Sequence, residues 1–284
     1  MNPRDEIIRR LDSVEQPSGY IPNDAKVLYA AESGSRAWGF ESPDSDYDVR
    51  FIYVRRPEFY LSVDWRYHPK SRRVRDVIEI PMDEDRIYDV NGWDLMKSMH
   101  LMRKCNPVLF EWLRSPTVYR DVLGVRDTLL VLTEKFFQIK PLLYHYHHLA
   151  LGNWSRYLKD REMVKPKKYL YVLRALTAMH WTHLYNAPPP VEFHVMFADL
   201  RDDGLTPSYV DAVETLLEEK SRGFEMDEVP ANKVLNENIE MFFSEWDSLL
   251  ASDYGKFTHS ERVQEENTVL LDTTFRSVLD DVWG

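Results

Sequence analysis

From Pro3 onward the apolar positions Ile7, Ile8 and Leu11 share one face of a 3.6-residue period, which predicts a helix over 3–16. The period then changes. Val27 to Ala31 is a short apolar run that ends at Ser33-Gly34-Ser35. After a turn around Ser42-Pro43-Asp44-Ser45, the segment Tyr47 to Val54 alternates and is rich in β-branched and aromatic residues, so both runs read as strands. Val74 to Ile80 and Arg86 to Val90 read as a third and a fourth. Asn91-Gly92 is expected to open a helix carrying Leu95, Met99 and Met102, which closes before Asn106-Pro107, and a shorter helix follows over 108–113.

Beyond Ser115-Pro116-Thr117 the pattern becomes helical, with segments near 121–137, 139–160, 166–186, 207–222 and 231–250. Lys165-Pro166, the run Asn186-Ala187-Pro188-Pro189-Pro190 and a loop from Gly223 to Pro230 separate them. The last thirty residues are only weakly periodic. The expectation is an α+β chain: a small α/β domain over 1–117, then an all-helical domain over 118–284.

Composition narrows the function classes. The 284 residues are 44% hydrophobic, which supports a sizeable core and excludes wholesale disorder. Lys and Arg number 36 against 47 Asp and Glu, a formal net charge of −11. That balance argues against coating nucleic acid by bulk electrostatics, but not against a local basic groove that holds an RNA end. A single cysteine, Cys105, excludes an internal disulfide and a Cys-built zinc site, so a reducing cytoplasm is expected. The charged amino terminus lacks the apolar run of a secretion signal, and no stretch approaches the ~18 apolar residues of a membrane span.

The chemistry concentrates between Gly34 and Arg50. A Gly34-Ser35 pair ends one strand, and after a gap of ten residues Asp46-Tyr47-Asp48 begins another. Strand geometry turns alternate side chains to one face, so Asp46 and Asp48 project together while Tyr47 points away. Two adjacent carboxylates repel unless a cation lies between them, and magnesium favours one or two carboxylates together with substrate phosphates. Two such ions can stabilise both the attacking and the leaving oxygen of a phosphoryl displacement. Gly34 lets backbone approach a phosphate, and Ser35 adds a hydroxyl donor beside its own amide.

Gly34-Ser35 followed by Asp46-x-Asp48 resembles the signature of the DNA polymerase β-like nucleotidyltransferase superfamily. Its members move a nucleoside monophosphate from a nucleoside triphosphate to a hydroxyl and release pyrophosphate. The wording Gly34-Ser-Arg-Ala-Trp-Gly, Pro43-Asp-Ser-Asp-Tyr-Asp-Val-Arg, Asn91-Gly-Trp-Asp-Leu-Met-Lys and Asn106-Pro-Val-Leu-Phe-Glu-Trp-Leu-Arg-Ser-Pro is similar to one branch. That branch is the predicted nucleotidyltransferases of RNA repair pathways, the RlaP group; the resemblance runs from about residue 20 to about residue 185. It implies a third metal carboxylate on a neighbouring strand, for which Asp89 is the choice, Glu79 the rival and Asp76 a weaker candidate. It also implies Mg²⁺, with Mn²⁺ as a possible substitute, and an NTP substrate.

Lys167, Tyr171, Arg174 and Ala178 share one face of the helix after Pro166, with Lys168 beside them. In relatives a helical-domain Lys reaches the phosphates and an aromatic stacks on the base. By that resemblance Lys167 or Lys168 holds phosphate, Tyr171 meets base or ribose, and Arg174 supports. Arg66, His68, Lys70, Arg72, Arg73 and Arg75 form a dense basic run suited to an RNA backbone. His145, His147 and His148 lack an adjoining metal-ligand pattern and are expected to pack. Arg174 and His180 echo the spacing of helical HEPN-type ribonucleases.

The expected acceptor is a tRNA-like or damaged RNA end. Transfer to a protein hydroxyl, transfer to a cationic small molecule, and an inactive nucleotide- or RNA-binding module are the alternatives.

Overall fold

The computed structural model describes residues 2–16, 25–63, 76–82, 87–201, 204–222, 228–253 and 261–284. The basic run Arg66 to Arg75 and the starts of the third and fourth expected strands, Val74 and Arg86, lie outside them, as does most of the loop expected from Gly223 to Pro230. The chain forms two compact units. One comprises Met1–Ala37, Asp46–Phe136 and His259–Gly284; the other comprises Trp38–Ser45 and Phe137–Thr258. The boundary expected at 117 falls inside the first unit.

The first unit opens with α1 (Pro3–Val14). Asn2 caps it by accepting from the Arg4 amide at 3.0 Å, and Pro3 occupies the position where a missing N–H costs nothing. There follow β1 (Ala25–Ser33), α2 (Gly34–Trp38), β2 (Tyr47–Arg55), α3 (Pro57–Tyr60), β3 (Val77–Ile80), β4 (Tyr88–Asp94), α4 (Leu95–Arg103), α5 (Pro107–Arg114), β5 (Val118–Asp121) and α6 (Val125–Phe136). The five strands make one mixed sheet in the order β3-β4-β2-β1-β5. Only β2 and β4 run parallel; the other neighbours are antiparallel. Val27, Val49, Phe51, Tyr53 and Val90 bury one sheet face against Ile7, Leu11 and Val14 of α1. Burial of each such side chain contributes about 1.5–3 kcal/mol.

Two expectations in this unit need correction. Asn91-Gly92 does not start a helix: both residues lie inside β4, and Asp94 caps α4 by accepting from the Met96 amide at 2.8 Å. Gly92 is there because the Phe51 ring lies against it, where a Cβ would overlap the ring. The chain after 117 is also not helical at once, since Val118–Asp121 pairs with β1 as an edge strand.

The second unit is helical: α7 (Ile139–Tyr157), α8 (Pro166–Tyr185), α9 (Phe193–Arg201), α10 (Pro207–Ser221) and α11 (Lys233–Asp253). A small ribbon of β6 (Met163–Val164) and β7 (Val229–Pro230) accompanies them. Asn186 ends α8 in the left-handed conformation, as the turn before Pro188 requires. The helix α9 lies in a stretch for which the sequence pattern gave no element.

The chain then returns to the first unit as α12 (Glu261–Trp283). Leu271, Phe275, Val278 and Leu279 form its buried stripe. Phe275 meets the edge of Tyr60 with ring centroids 5.0 Å apart, and Arg56 stands 4.4 Å over Trp283. The weakly periodic tail is thus a helix docked on the sheet unit. Among the described residues no helix is long and apolar enough to cross a membrane.

Candidate active site

Strand register assembles the site. Ser33, the last residue of β1, stands opposite Asp48 on β2, and Asp48 stands opposite Asp89 on β4. Residues paired across adjacent strands share a sheet face, so this row crosses three strands on the face away from α1. Asp46 immediately precedes β2. Arg50, two residues beyond Asp48, keeps the same face. Its Nη2 donates to Asp48 Oδ1 at 3.0 Å and to Asp89 Oδ2 at 2.7 Å, and its Nη1 donates to the Asp89 carbonyl at 2.9 Å. Asn91 Nδ2 donates to Asp89 Oδ1 at 3.4 Å.

The Gly34-Ser35 corner lies against this row. Gly34 has φ +61, a left-handed conformation that glycine adopts without penalty. A Cβ there would overlap the Asp48 carboxylate, at 2.8 Å from its Cγ. Two residues on, Arg36 Nε donates to the Asp46 carbonyl at 3.2 Å, and its guanidinium stands 4.0 Å over the Tyr47 ring. Tyr47 stacks on Tyr88 on the opposite side from the carboxylates. Gly34, Asp48 and Asp89 therefore come together in the first unit, with Asp46 close enough to act on Asp48 by its charge and Ser35 next to Gly34 in the chain.

Electrostatics match that geometry. Burial raises the Asp48 pKa, and the charges of Asp89 and Asp46 raise it further, while Arg50 opposes them. Arg50 pairs with two of the carboxylates, Asp48 and Asp89, and the crowding of negative charge around Asp48 favours added cations. Among the described residues no three His, Cys, Asp or Glu side chains converge closely enough to hold a metal ion. The hard oxygens of Asp48 and Asp89, paired across β2 and β4, are of the kind that suits magnesium, which takes one or two carboxylates and completes its shell with water and phosphate oxygens.

Beneath the row lies a residue that sequence reasoning missed. Glu32 is 2% exposed on β1. Its Oε1 accepts from the Asp48 amide at 2.8 Å, and its Oε2 accepts from the Tyr119 hydroxyl. Burial raises its pKa, against the Tyr119 hydrogen bond. Glu32 therefore fixes the main chain at Asp48. A lone carboxylate in the apolar run Val27-Leu-Tyr-Ala-Ala-Glu32 was the available signal, as was the two-residue spacing of Arg50 from Asp48. Nothing in the sequence pointed to Tyr119.

Neither rival acid stands opposite Asp48 or Asp89, although Glu79 shares their sheet face. Glu79 is exposed and pairs with Asn91 instead of Asp89. Asp76 is buried and accepts from Lys97 Nζ at 3.3 Å, while its carbonyl accepts from the Asp94 amide at 2.9 Å.

Lys167, Lys168, Tyr171 and Arg174 belong to α8 of the second unit. Lys168 Nζ stands 4.1 Å from the Tyr157 ring centroid and 5.2 Å from that of Tyr171. Tyr171 meets Trp38 edge-on. Arg174 is 2% exposed, stacks 4.3 Å over Trp38 and donates to the Val191 carbonyl at 3.4 Å, so its surroundings are those of a packing residue. His180 contacts Phe242 and Trp246 instead, so the ribonuclease-like pair faces two different ways. His147 lies 2.9 Å from Asp247 and against Phe243, while His145 and His148 contact Tyr146 and Tyr144.

The loop between the two halves of the signature, Trp38–Ser45, is part of the helical unit. Phe40 meets Phe193 edge-on, and Lys220, 4% exposed, donates to Ser42 Oγ at 3.0 Å. Ser42 and Ser45 also hydrogen bond to each other, Oγ to Oγ at 3.0 Å. A buried ammonium thus anchors the segment that delivers Asp46. Lys220→Met is expected to lower stability by about 1–3 kcal/mol, read from urea midpoints, because buried acceptors lose their donor. A change within a few tenths of a kcal/mol would show that the anchor is dispensable.

Known proteins share this chain's sequence over nearly its whole length. The family model described as RNA repair pathway DNA polymerase beta family matches residues 4–272. The uncharacterized protein YcgL of Bacillus subtilis (strain 168) is 38% identical over 281 residues, covering 99% of this chain and 98% of its own. A crystal structure of a nucleotidyltransferase-like protein from Exiguobacterium sibiricum aligns with 87% of this chain and 75% of that one, at 13% identity and a TM-score of 0.32.

Proposed function

The chain belongs to the RNA repair pathway DNA polymerase beta family, and from that premise we propose that it transfers a nucleoside monophosphate from an NTP to a hydroxyl on an RNA end. The observation that carries the reading is the carboxylate row: Asp48 and Asp89 paired across β2 and β4, clasped by Arg50, with Asp46 alongside and the glycine corner against Asp48.

Asp46, Asp48 and Asp89 would hold magnesium, or manganese in its place. When bound, such an ion supplies a lowered pKa for the acceptor hydroxyl and neutralises charge on the triphosphate. The chain's own residues do the rest. Arg50 fixes the relative positions of Asp48 and Asp89, and Glu32 fixes the main chain at Asp48. Gly34 leaves room for the Asp48 carboxylate, while the Ser35 amide and hydroxyl face the departing pyrophosphate. The acceptor oxygen bonds to the α-phosphorus as the bond to the β-phosphate breaks, so no covalent nucleophile of the protein is required.

The test is to incubate the protein with each α-labelled NTP, Mg²⁺ or Mn²⁺, and either total RNA or cell protein. Label on RNA ends is the expected result. Label on polypeptide, or nucleotide binding without transfer, overturns the acceptor assignment.

A further inference from the structure

The connection between α7 and α8 carries an unusual concentration of positive charge for so acidic a chain. Residues 156–168 hold six basic side chains, Arg156, Lys159, Arg161, Lys165, Lys167 and Lys168, and two acidic ones, Asp160 and Glu162. Arg156, Lys159, Arg161 and Lys165 are all exposed. Among the described residues Lys159, Arg161 and Lys165 make no ion pair, even with Asp160 and Glu162 in the same stretch.

The segment is also rigidly held. The Leu158 and Lys159 amides both donate to the Trp154 carbonyl, at 3.0 and 2.9 Å, and Arg161 N–H donates to the Leu158 carbonyl at 3.2 Å. Met163 and Val164 pair with Pro230 and Val229, and Ala231 N–H donates to the Glu162 carbonyl at 2.9 Å. Leu158 and Val164 are buried at 0% and 2% exposure and serve as anchors beneath the cations. A solvated basic tail needs none of this.

Within the cluster stands an aromatic plate. Tyr157 is 37% exposed, with Lys168 Nζ 4.1 Å and the Arg156 guanidinium 5.8 Å from its ring centroid. The Arg156 hydrogen bond and the Lys168 charge hold its phenol below the usual range. An exposed ring engaged by two cations, in a stretch with three more that make no ion pair among the described residues, is the combination that binds single-stranded nucleic acid: the ring stacks a base and the free cations track the phosphates. An anionic bilayer would instead favour a broad apolar face, and here only Met163 adds exposed apolar surface to the cluster.

We propose that the α7–α8 connection is a docking surface for single-stranded RNA, with Tyr157 stacking a base and Lys159, Arg161 and Lys165 contacting the backbone. It rests on the RNA-acceptor reading and adds to it a strand-binding surface on the helical unit.

The test measures binding alone. Full-length protein without nucleotide is titrated into a labelled RNA of about 12 nucleotides, within the usual site size, by fluorescence anisotropy over a range of salt. The triple variant K159Q/R161Q/K165Q should bind at least about tenfold more weakly, and its log–log salt slope should flatten by about 2, from roughly 0.7 per phosphate contact. Tyr157→Ala should weaken binding by about fivefold or more while leaving the slope unchanged. All four positions are exposed, so circular dichroism should be unaltered. A parent that does not bind RNA, a triple variant with the parental slope, or binding transferred to phosphatidylserine vesicles would each overturn the proposal. RNA binding by a protein that labels no RNA would overturn the acceptor reading instead and leave this surface standing.

Discussion

Asp46→Ala combined with Asp48→Ala is expected to reduce metal-dependent pyrophosphate release by at least about 10³-fold, the scale on which preorganised charge stabilisation is lost. Asp48 is the centre of the row, facing Gly34 on one side and Asp89 on the other, so the double change removes two of the three carboxylates that would hold metal. The fold should survive. Arg50 retains its bonds to the Asp89 carboxylate and carbonyl, and the Glu32 bond is to the Asp48 main chain, which alanine keeps. Unchanged far-ultraviolet dichroism with lost turnover and lost Mn²⁺ binding is the expected pattern. Turnover within a few-fold of the parent would remove the carboxylates from the reaction.

Gly34→Ala should be nearly as damaging for activity, through position instead of charge. Two penalties coincide there. The left-handed backbone costs a residue with a Cβ about 1–2 kcal/mol, and the new Cβ would overlap the Asp48 carboxylate, which must swing away from Arg50. Gly124 supplies the control, since it has φ +64 and nothing lies within 4 Å of where an added methyl would stand. Gly124→Ala should therefore show the backbone cost in its urea midpoint and parental transfer rates. Equal activity loss in both variants would mean that Gly34 matters for stability only.

How far the sequence discloses this arrangement depends on the range of the interaction that fixes each part. Strands β1 and β2 and helices α1, α5, α7 and α8 carry their own period, with side-chain caps on α1 and α5, and the pattern finds them within a few residues. The corner and Asp46-x-Asp48 are legible because a strand–turn–strand unit is local. Asp89 needed the family resemblance, because its place beside Asp48 is set by parallel pairing across forty residues. The helix expected at Asn91-Gly92 failed because glycine signals a break in isolation, whereas here it makes room for a ring on the next strand. Glu32, Arg50 and Lys220 escaped notice because their partners are fixed by tertiary structure. A buried lysine on α10 bonded to a serine 178 positions away leaves no trace in periodicity.

The return of α12 bears on biogenesis. The sheet unit is stitched from separated stretches of chain, and the stretch that covers Tyr60 and Arg56 is translated after the whole helical unit. Domains ordinarily fold in the order in which they emerge during synthesis. In this protein the carboxylate-bearing half begins first, yet its last helix, α12, is synthesised only after the helical unit is complete.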